Sequence, residues 1–275
     1  MLNKVKLRFW DVAKVSYDEL LAEMEAWRSL DGFDGRVERV ESCRRAKTVF
    51  FCEAMGVARA WFDKKCREKL CAAYKSAEVV TADGTVVKKL AKIGGEDIER
   101  LTGPNLFPKA MEYGLSRGWR HYFYGTNEET LKNLKAKLEA QYPGIQIVGT
   151  YAPPYCDDPP VPLQLQLSTS TNRPPVDFFW VGLGCPKQEI WCAKHAQELD
   201  CAAMLAVGAV FDFYGGASPK IPKIIDKLDL VWVWRILTGG KRTLKRDLYC
   251  VPRAAWVLIA EFIRVRIFHR GCGRR

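Results

Sequence analysis

From Tyr17 to Leu30 the apolar side chains recur at Leu20, Leu21, Met24 and Trp27, a spacing that predicts a helix with one buried stripe. Val49-Phe50-Phe51 reads as a short strand. Gly56 to Tyr74 returns to helical spacing with charges opposite, and Glu78-Val79-Val80-Thr81 predicts a second short strand. The first third is therefore expected to be mostly helical. The middle is more regular. Trp119 to Tyr124 predicts an aromatic strand, Thr126 or Asn127 a helix cap, and Glu128 to Gln141 a helix presenting Leu131, Leu134 and Leu138. Pro143-Gly144 ends that helix and Ile145 to Gly149 predicts the next strand, which completes a βαβ unit.

A proline-rich stretch with a Ser-Thr-Ser-Thr run, residues 152–175, reads as a surface connection. Beyond it, Asp177 to Val181 predicts an apolar strand that runs through Gly182-Leu183-Gly184 into a helix ending near Leu199. Ala202 to Val207 predicts another strand, closing at Gly208-Ala209-Val210-Phe211-Asp212-Phe213. Strands that each lead through a glycine turn into a helix define a doubly wound α/β fold with a mostly parallel sheet. Ligands of such sheets lie at the carboxyl ends of the strands.

The character changes after Gly216. Residues 1–216 are expected to form the α/β catalytic domain, and residues 217–275 a helical appendage with helices over 222–230, 231–238 and 241–268. Charge sharpens that division. The net charge of the chain is +11, yet residues 1–216 hold 29 basic and 28 acidic side chains, against 14 and 4 in residues 217–275. The appendage also carries Trp232, Trp234 and Trp256. Its apolar run Ala254 to Ile263 covers only about ten residues, too short to span a bilayer but suited to an interfacial helix. With 48% hydrophobic and 27% charged residues and a mean hydropathy of -0.17, the chain reads as globular. The ten cysteines form no CxxC pair and no signal-peptide core precedes them. Reduced thiols in the cytoplasm are expected.

Gly182-Leu183-Gly184-Cys185-Pro186-Lys187-Gln188-Glu189 combines glycines that admit a close ligand with a helix start whose free amides favour phosphate. It lacks the third glycine of a dinucleotide fingerprint and the Gly-Lys-Ser/Thr of a Walker loop. On spacing alone it reads equally as a tight turn. Asp83, just past a strand, is positioned to accept a proton from a substrate hydroxyl, and by itself equally reads as a turn aspartate. Asp212 sits between two phenylalanines after a strand, where a carboxylate either bonds locally or meets ligand hydroxyls such as those of a ribose. Arg235, Arg242 and Arg246, with Arg253, fall near helical spacing and match phosphate oxygens, or else form a solvated basic face. His121, His195 and His269 fit no catalytic motif and read as structural, and Glu96, Asp97 and Glu99 as a solvated helix start.

Taken together, several stretches occur in the order of a known family. They are Ala82-Asp83-Gly84, Arg100-Leu101-Thr102-Gly103 with Leu106 and Pro108, Tyr124-Gly125, Tyr142-Pro143-Gly144 and Val148-Gly149-Thr150. Val181 to Glu189, Gly208 to Phe213 and a basic Trp/Arg tail follow. Over about residues 75–265 the chain resembles the WecG/TagA/CpsF family, glycosyltransferase family 26. The resemblance implies a Rossmann-like fold and an inverting transfer of a hexosamine-type sugar. The donor is a UDP-sugar such as UDP-N-acetylmannosamine, and the acceptor a saccharide on a polyprenyl pyrophosphate. The products are teichoic acid linkage units or other cell-surface polysaccharides. It implies Asp83 as general base on the acceptor hydroxyl. It implies Gly103, Gly125, Gly182, Gly184, Pro186, Lys187, Gln188, Glu189, Gly208 and Asp212 as the donor pocket. Arg235, Arg242 and Arg246 would serve the pyrophosphate and the inner membrane face. No Asp-X-Asp pair is present, so a metal-independent reaction without a cofactor is expected, with fixed positive charge on the leaving group.

The chain departs from the family pattern at three places. Phe50-Phe51-Cys52-Glu53 stands where a Thr and an Asn are usual, Asn105 replaces an acidic residue, and Thr126 replaces a second glycine after Tyr124-Gly125. Two other readings stay open at this point: a nucleotide-binding α/β enzyme of dehydrogenase type, and a basic module for membranes or nucleic acid. No helix-turn-helix, zinc finger or RNP signature supports nucleic acid as a partner. The donor sugar, the acceptor glycan and homo-oligomerisation stay undetermined.

Overall fold

The computed structural model describes residues 2–30, 45–165, 176–216, 222, 224–225, 231–238 and 240–272. Strands β1 (Lys4–Lys6) and β2 (Asp11–Ala13) pair antiparallel ahead of helix α1 (Tyr17–Leu30). The main sheet has six strands: β3 (Lys47–Cys52), β4 (Val79–Ala82), β5 (Arg120–Gly125), β6 (Gln146–Tyr151), β7 (Val176–Gly182) and β8 (Cys201–Ala206). Their order is β4-β3-β8-β7-β5-β6, and every neighbouring pair is parallel.

A parallel sheet is buried on both faces, so its strands carry apolar side chains at consecutive positions. In β7, Phe178 and Trp180 join Phe107, Phe123 and Phe211 on one face. Phe179 and Val181 join Tyr122, Tyr124 and Trp191 on the other. The first face is covered by α1, α5 (Gly103–Leu115), α6 (Glu128–Gln141) and α8 (Val210–Gly215). The second is covered by α2 (Ala54–Phe62), α3 (Lys64–Ser76), α4 (Thr85–Ile93) and α7 (Lys187–His195). The doubly wound, Rossmann-like α/β architecture expected from the sequence is present.

The chain leaves β5 for α6 on one face and β7 for α7 on the other, although β5 and β7 are neighbours. That divergence opens a crevice at their carboxyl ends, the place where doubly wound sheets bind ligands.

Several local expectations are corrected. The β1–β2 hairpin, α4 and α5 lie outside the elements that the apolar pattern predicts. The stretch Gly56 to Tyr74 is two helices, because the Asp63 side chain accepts from the Cys66 amide at 3.0 Å and starts α3 afresh. Glu96, Asp97 and Glu99 begin no helix. Gly94 and Gly95 end α4, and the next cap is Thr102, whose hydroxyl accepts from the Asn105 amide.

Two tail helices follow, Val231–Thr238 and the C-terminal helix Lys241–Cys272. Most of the expected helix at 222–230 lies outside the described residues, as does the Ser/Thr half of the proline-rich stretch. The C-terminal helix lies against α2 and α4, burying Cys250, Ala254 and Val257. Glu261, also buried, accepts from Arg8 at 3.1 Å and from Arg264 at 2.6 Å. Its opposite face leaves Leu248, Trp256, Ile259, Ile263 and Ile267 more than half exposed.

Candidate active site

Gly125 and Gly182 are the last residues of β5 and β7 and stand opposite each other in register. A Cβ on Gly125 would come within 2.4 Å of the Gly182 carbonyl oxygen, and Gly125 has a φ of +132°. Only glycine fits there. Thr126 follows with φ 47°, the only non-glycine positive φ among the described residues. This explains the glycine usual at that position. Here the Thr126 hydroxyl donates to Asp212 at 3.1 Å, tying the turn after β5 to the first turn of α8.

The next turn is held from beneath. Gln188 is buried: its carbonyl oxygen accepts from the Gly184 amide at 3.0 Å, and its amide nitrogen donates to the Ala206 carbonyl at 2.9 Å. One side chain therefore fastens the turn after β7 to the end of β8. Gly208, with φ +61°, packs against the same side chain. Glu189 is fully buried, accepts from Gln188 at 3.1 Å and has the Cys185 thiol against it. Burial pushes its pKa up to about 8. Gln188 and Glu189 thus shape the glycine turns from inside, while Gly184 is exposed and Cys185 and Pro186 are partly buried.

Two strands further along the edge, Asp83 follows β4. Its amide donates to the Cys52 carbonyl at 3.0 Å, so the β4 turn is bound to the end of β3. Glu53 follows β3, and its Cα lies 3.5 Å from where a Cβ on Gly84 would stand. Gly103, the first residue of α5, packs on Val207 just past β8.

The C-terminal helix adds a cation to this edge. Burial works against the charge of Arg246, but the nearby Glu53 and Asp247 carboxylates more than offset it and raise its pKa. Its Nε donates to Asp247 at 3.2 Å. Cys250 and Tyr249 of the same helix pack with Met55, Ala58 and Cys185, beside the β7 turn.

Asp83, Arg246, Asp212 and the glycines at 103, 125, 182, 184 and 208 therefore share one sheet edge. Lys187 donates to the Cys156 carbonyl, with Tyr155 beside it. Lys194 pairs with Asp158, and Trp191 donates to Pro159 at 2.7 Å, so α7 anchors the start of the proline-rich stretch. The backbone of Arg235 and Arg242 is helical, and their side chains lie outside the described residues. His121 is structural: it accepts from Trp180 at 3.1 Å, and burial lowers its pKa to about 3. His195 bonds Glu198 and Asp158 at 2.8 and 3.2 Å, while the His269 side chain lies outside the described residues. Glu53 is not among the residues that the sequence marks as functional. Its signals in the sequence are its place just past a strand, as for Asp83, and its position in the stretch where the family has a Thr and an Asn. Among the described residues no three His, Cys, Asp or Glu side chains converge as metal ligands.

Glycine turns at the switch point of a doubly wound sheet, a strand-end aspartate and an arginine brought in by a tail helix form one candidate active site. The chain belongs to the glycosyl transferase WecG/TagA/CpsF family, whose model matches residues 14–267. It is 26% identical over 183 residues to the N-acetylglucosaminyldiphosphoundecaprenol N-acetyl-beta-D-mannosaminyltransferase of Bacillus spizizenii, covering 66% of this chain and 68% of that protein. To the enzyme of the same name in Staphylococcus aureus it is 27% identical over 167 residues, 60% of this chain and 63% of the relative. The match thus spans about two thirds of these relatives.

Proposed function

We propose that this glycosyltransferase moves an N-acetylmannosamine-type sugar from a UDP donor to an N-acetylglucosaminyl diphosphate lipid. The relatives' names supply the acceptor class and the β product. The observation that carries the reading is the span of the carboxyl edge. Asp83 after β4 and the Gly125/Gly182 crevice lie three to four strand spacings apart, about 14–19 Å. An extended UDP-sugar has that reach. Uridine sits at the switch point near Thr126 and Asp212, the diphosphate crosses the Gly184 turn beside Arg246, and the sugar is offered toward Asp83.

Asp83 takes the proton of the acceptor hydroxyl as its oxygen attacks the anomeric carbon from the face opposite UDP. The new C–O bond forms with inversion, the anomeric C–O bond to the diphosphate breaks, and UDP leaves with the electron pair. Arg246 places fixed positive charge where that negative charge develops. Asp247 and Glu53 hold the arginine in place before donor arrives.

Peripheral attachment to the inner membrane face is part of the same reading. Among the described residues no helix is long and apolar enough to cross a membrane. The exposed apolar face of the C-terminal helix, flanked by arginines, suits the headgroup boundary of an anionic leaflet. Purified protein, a lipid-diphosphate N-acetylglucosamine acceptor and a panel of UDP-sugars test the reading by UDP release. Turnover with UDP-N-acetylmannosamine above the other donors is expected. Release with no donor of the panel defeats it.

A further inference from the structure

A cleft of about 690 Å3 lies between the end of α4 and the C-terminal helix. Ile93 and, from the C-terminal helix, Leu258, Ile259 and Phe262 supply apolar walls. Lys89, Lys92 and Arg266 stand among them, and no acidic residue lines it. Ile259 and Phe262 are 54% and 45% exposed, large apolar surfaces left uncovered beside cations. Basic groups around an apolar trough complement a molecule with phosphate at one end and hydrocarbon at the other.

The order of groups along α4 identifies which such molecule. Asp83 and Gly84 stand immediately before its first turn. Lys89 and Lys92 follow one and two turns on, and Ile93 closes the helix. From Thr85 to Ile93 the helix rises about 12 Å. A lipid-linked acceptor has the same order: reacting hydroxyl, sugar, diphosphate, hydrocarbon. The cleft also continues into the exposed apolar face of the C-terminal helix, which gives the hydrocarbon a dry path onward.

We propose that the cleft between α4 and the C-terminal helix holds the first prenyl units of the acceptor, with Lys89 and Lys92 at its diphosphate. The inference deepens the proposed function and rests on it for the identity of the lipid. α4 then acts as a ruler. It holds the acceptor by its phosphates and lipid so that the sugar hydroxyl falls at Asp83.

The test is photolabelling of the full-length protein in detergent with a polyprenyl diphosphate carrying a diazirine in its second prenyl unit, mapped by peptide mass spectrometry. Adducts are expected in residues 85–93 and 258–266. Ile259→Asp and Lys92→Glu, both at exposed side chains, should lower labelling at least tenfold with unchanged circular dichroism. A tenfold excess of phosphatidylglycerol should leave the label in place. Adducts confined to Leu248, Trp256 and Ile267, or label fully displaced by phosphatidylglycerol, overturn the proposal. Labelling needs no turnover. If the cleft is labelled but no donor reacts, the transfer reaction is what fails; if donors react and label falls elsewhere, the cleft is.

Discussion

The hydroxyl of Thr126 donates to the Asp212 carboxylate at 3.1 Å, across the crevice where β5 and β7 send their helices to opposite faces. A β-branched residue with φ 47° is strained, at a cost on the order of 1–3 kcal/mol. The hydrogen bond offsets about 1 kcal/mol of that. Thr126→Gly should therefore leave the melting temperature at least as high as wild type. It should raise the KM for the UDP-sugar several-fold, because Asp212 loses the partner that orients it. An unchanged KM would mean that the Asp212 carboxylate does not touch the donor.

Asp83→Asn keeps the size and shape of the side chain, and the Asp83 backbone amide still binds the β4 turn to the end of β3. Losing a positioned base costs about 10²–10⁴ in rate. Single-turnover transfer should fall by that amount while UDP-sugar affinity is retained. Transfer within a few-fold of wild type would remove Asp83 from the role.

Arg246→Gln removes the cation that the C-terminal helix brings to the edge. The loss expected is about 10²–10³ in kcat, the scale for one preorganised electrostatic group. With a fixed cation on the diphosphate, wild-type turnover should also persist in EDTA. Activity lost in EDTA and restored by magnesium would contradict fixed-charge stabilisation.

Glu189 has a folded pKa of about 8, raised by burial above its ordinary 4.5. Between those values the unfolded chain releases a proton that the folded chain keeps. Stability therefore falls as pH rises through that window and levels off above it. The slope from this one group is about 1.4 kcal/mol per pH unit. Glu189→Gln lacks it, so the variant should gain on wild type from pH 5 to pH 8 by a few kcal/mol. Urea unfolding at three pH values reads the difference, and parallel curves would show that Glu189 ionises freely in the folded state.

Trp256→Glu with Ile263→Glu places charge on the exposed face of the C-terminal helix, where the two side chains are 62% and 51% exposed. Binding to phosphatidylglycerol vesicles in a flotation assay should drop at least tenfold, with the fold intact. Removing the helix outright is the poorer experiment, because Val257 and Glu261 are buried in contacts with the body of the protein. Undiminished flotation would place membrane contact elsewhere.

Much of this was legible along the chain. The aromatic strand before Gly125, the apolar strand before Gly182 and the leucine stripe of α6 follow from periods of two and 3.6, which the backbone imposes locally. Asp83 and Asp212 were legible as strand-end carboxylates. α5 was hidden because it opens on Gly-Pro and carries Pro108 inside, both of which read as breaks. The two-helix split at Asp63 was hidden because a cap needs only one residue, and apolar spacing runs on across it.

The fold class, the glycine turns and the concentration of positive charge after Gly216 can be read along the chain, since each depends on neighbours in it. Long-range packing, by contrast, turns Gln188 and Glu189 inward and brings Glu53 near Arg246. The same packing makes α4 and the C-terminal helix frame one apolar cleft. These pairs come from opposite ends of the chain or from strands reordered by crossovers. Local periodicity records which face of an element is buried but not which partner buries it; strand order and long-range packing make that choice.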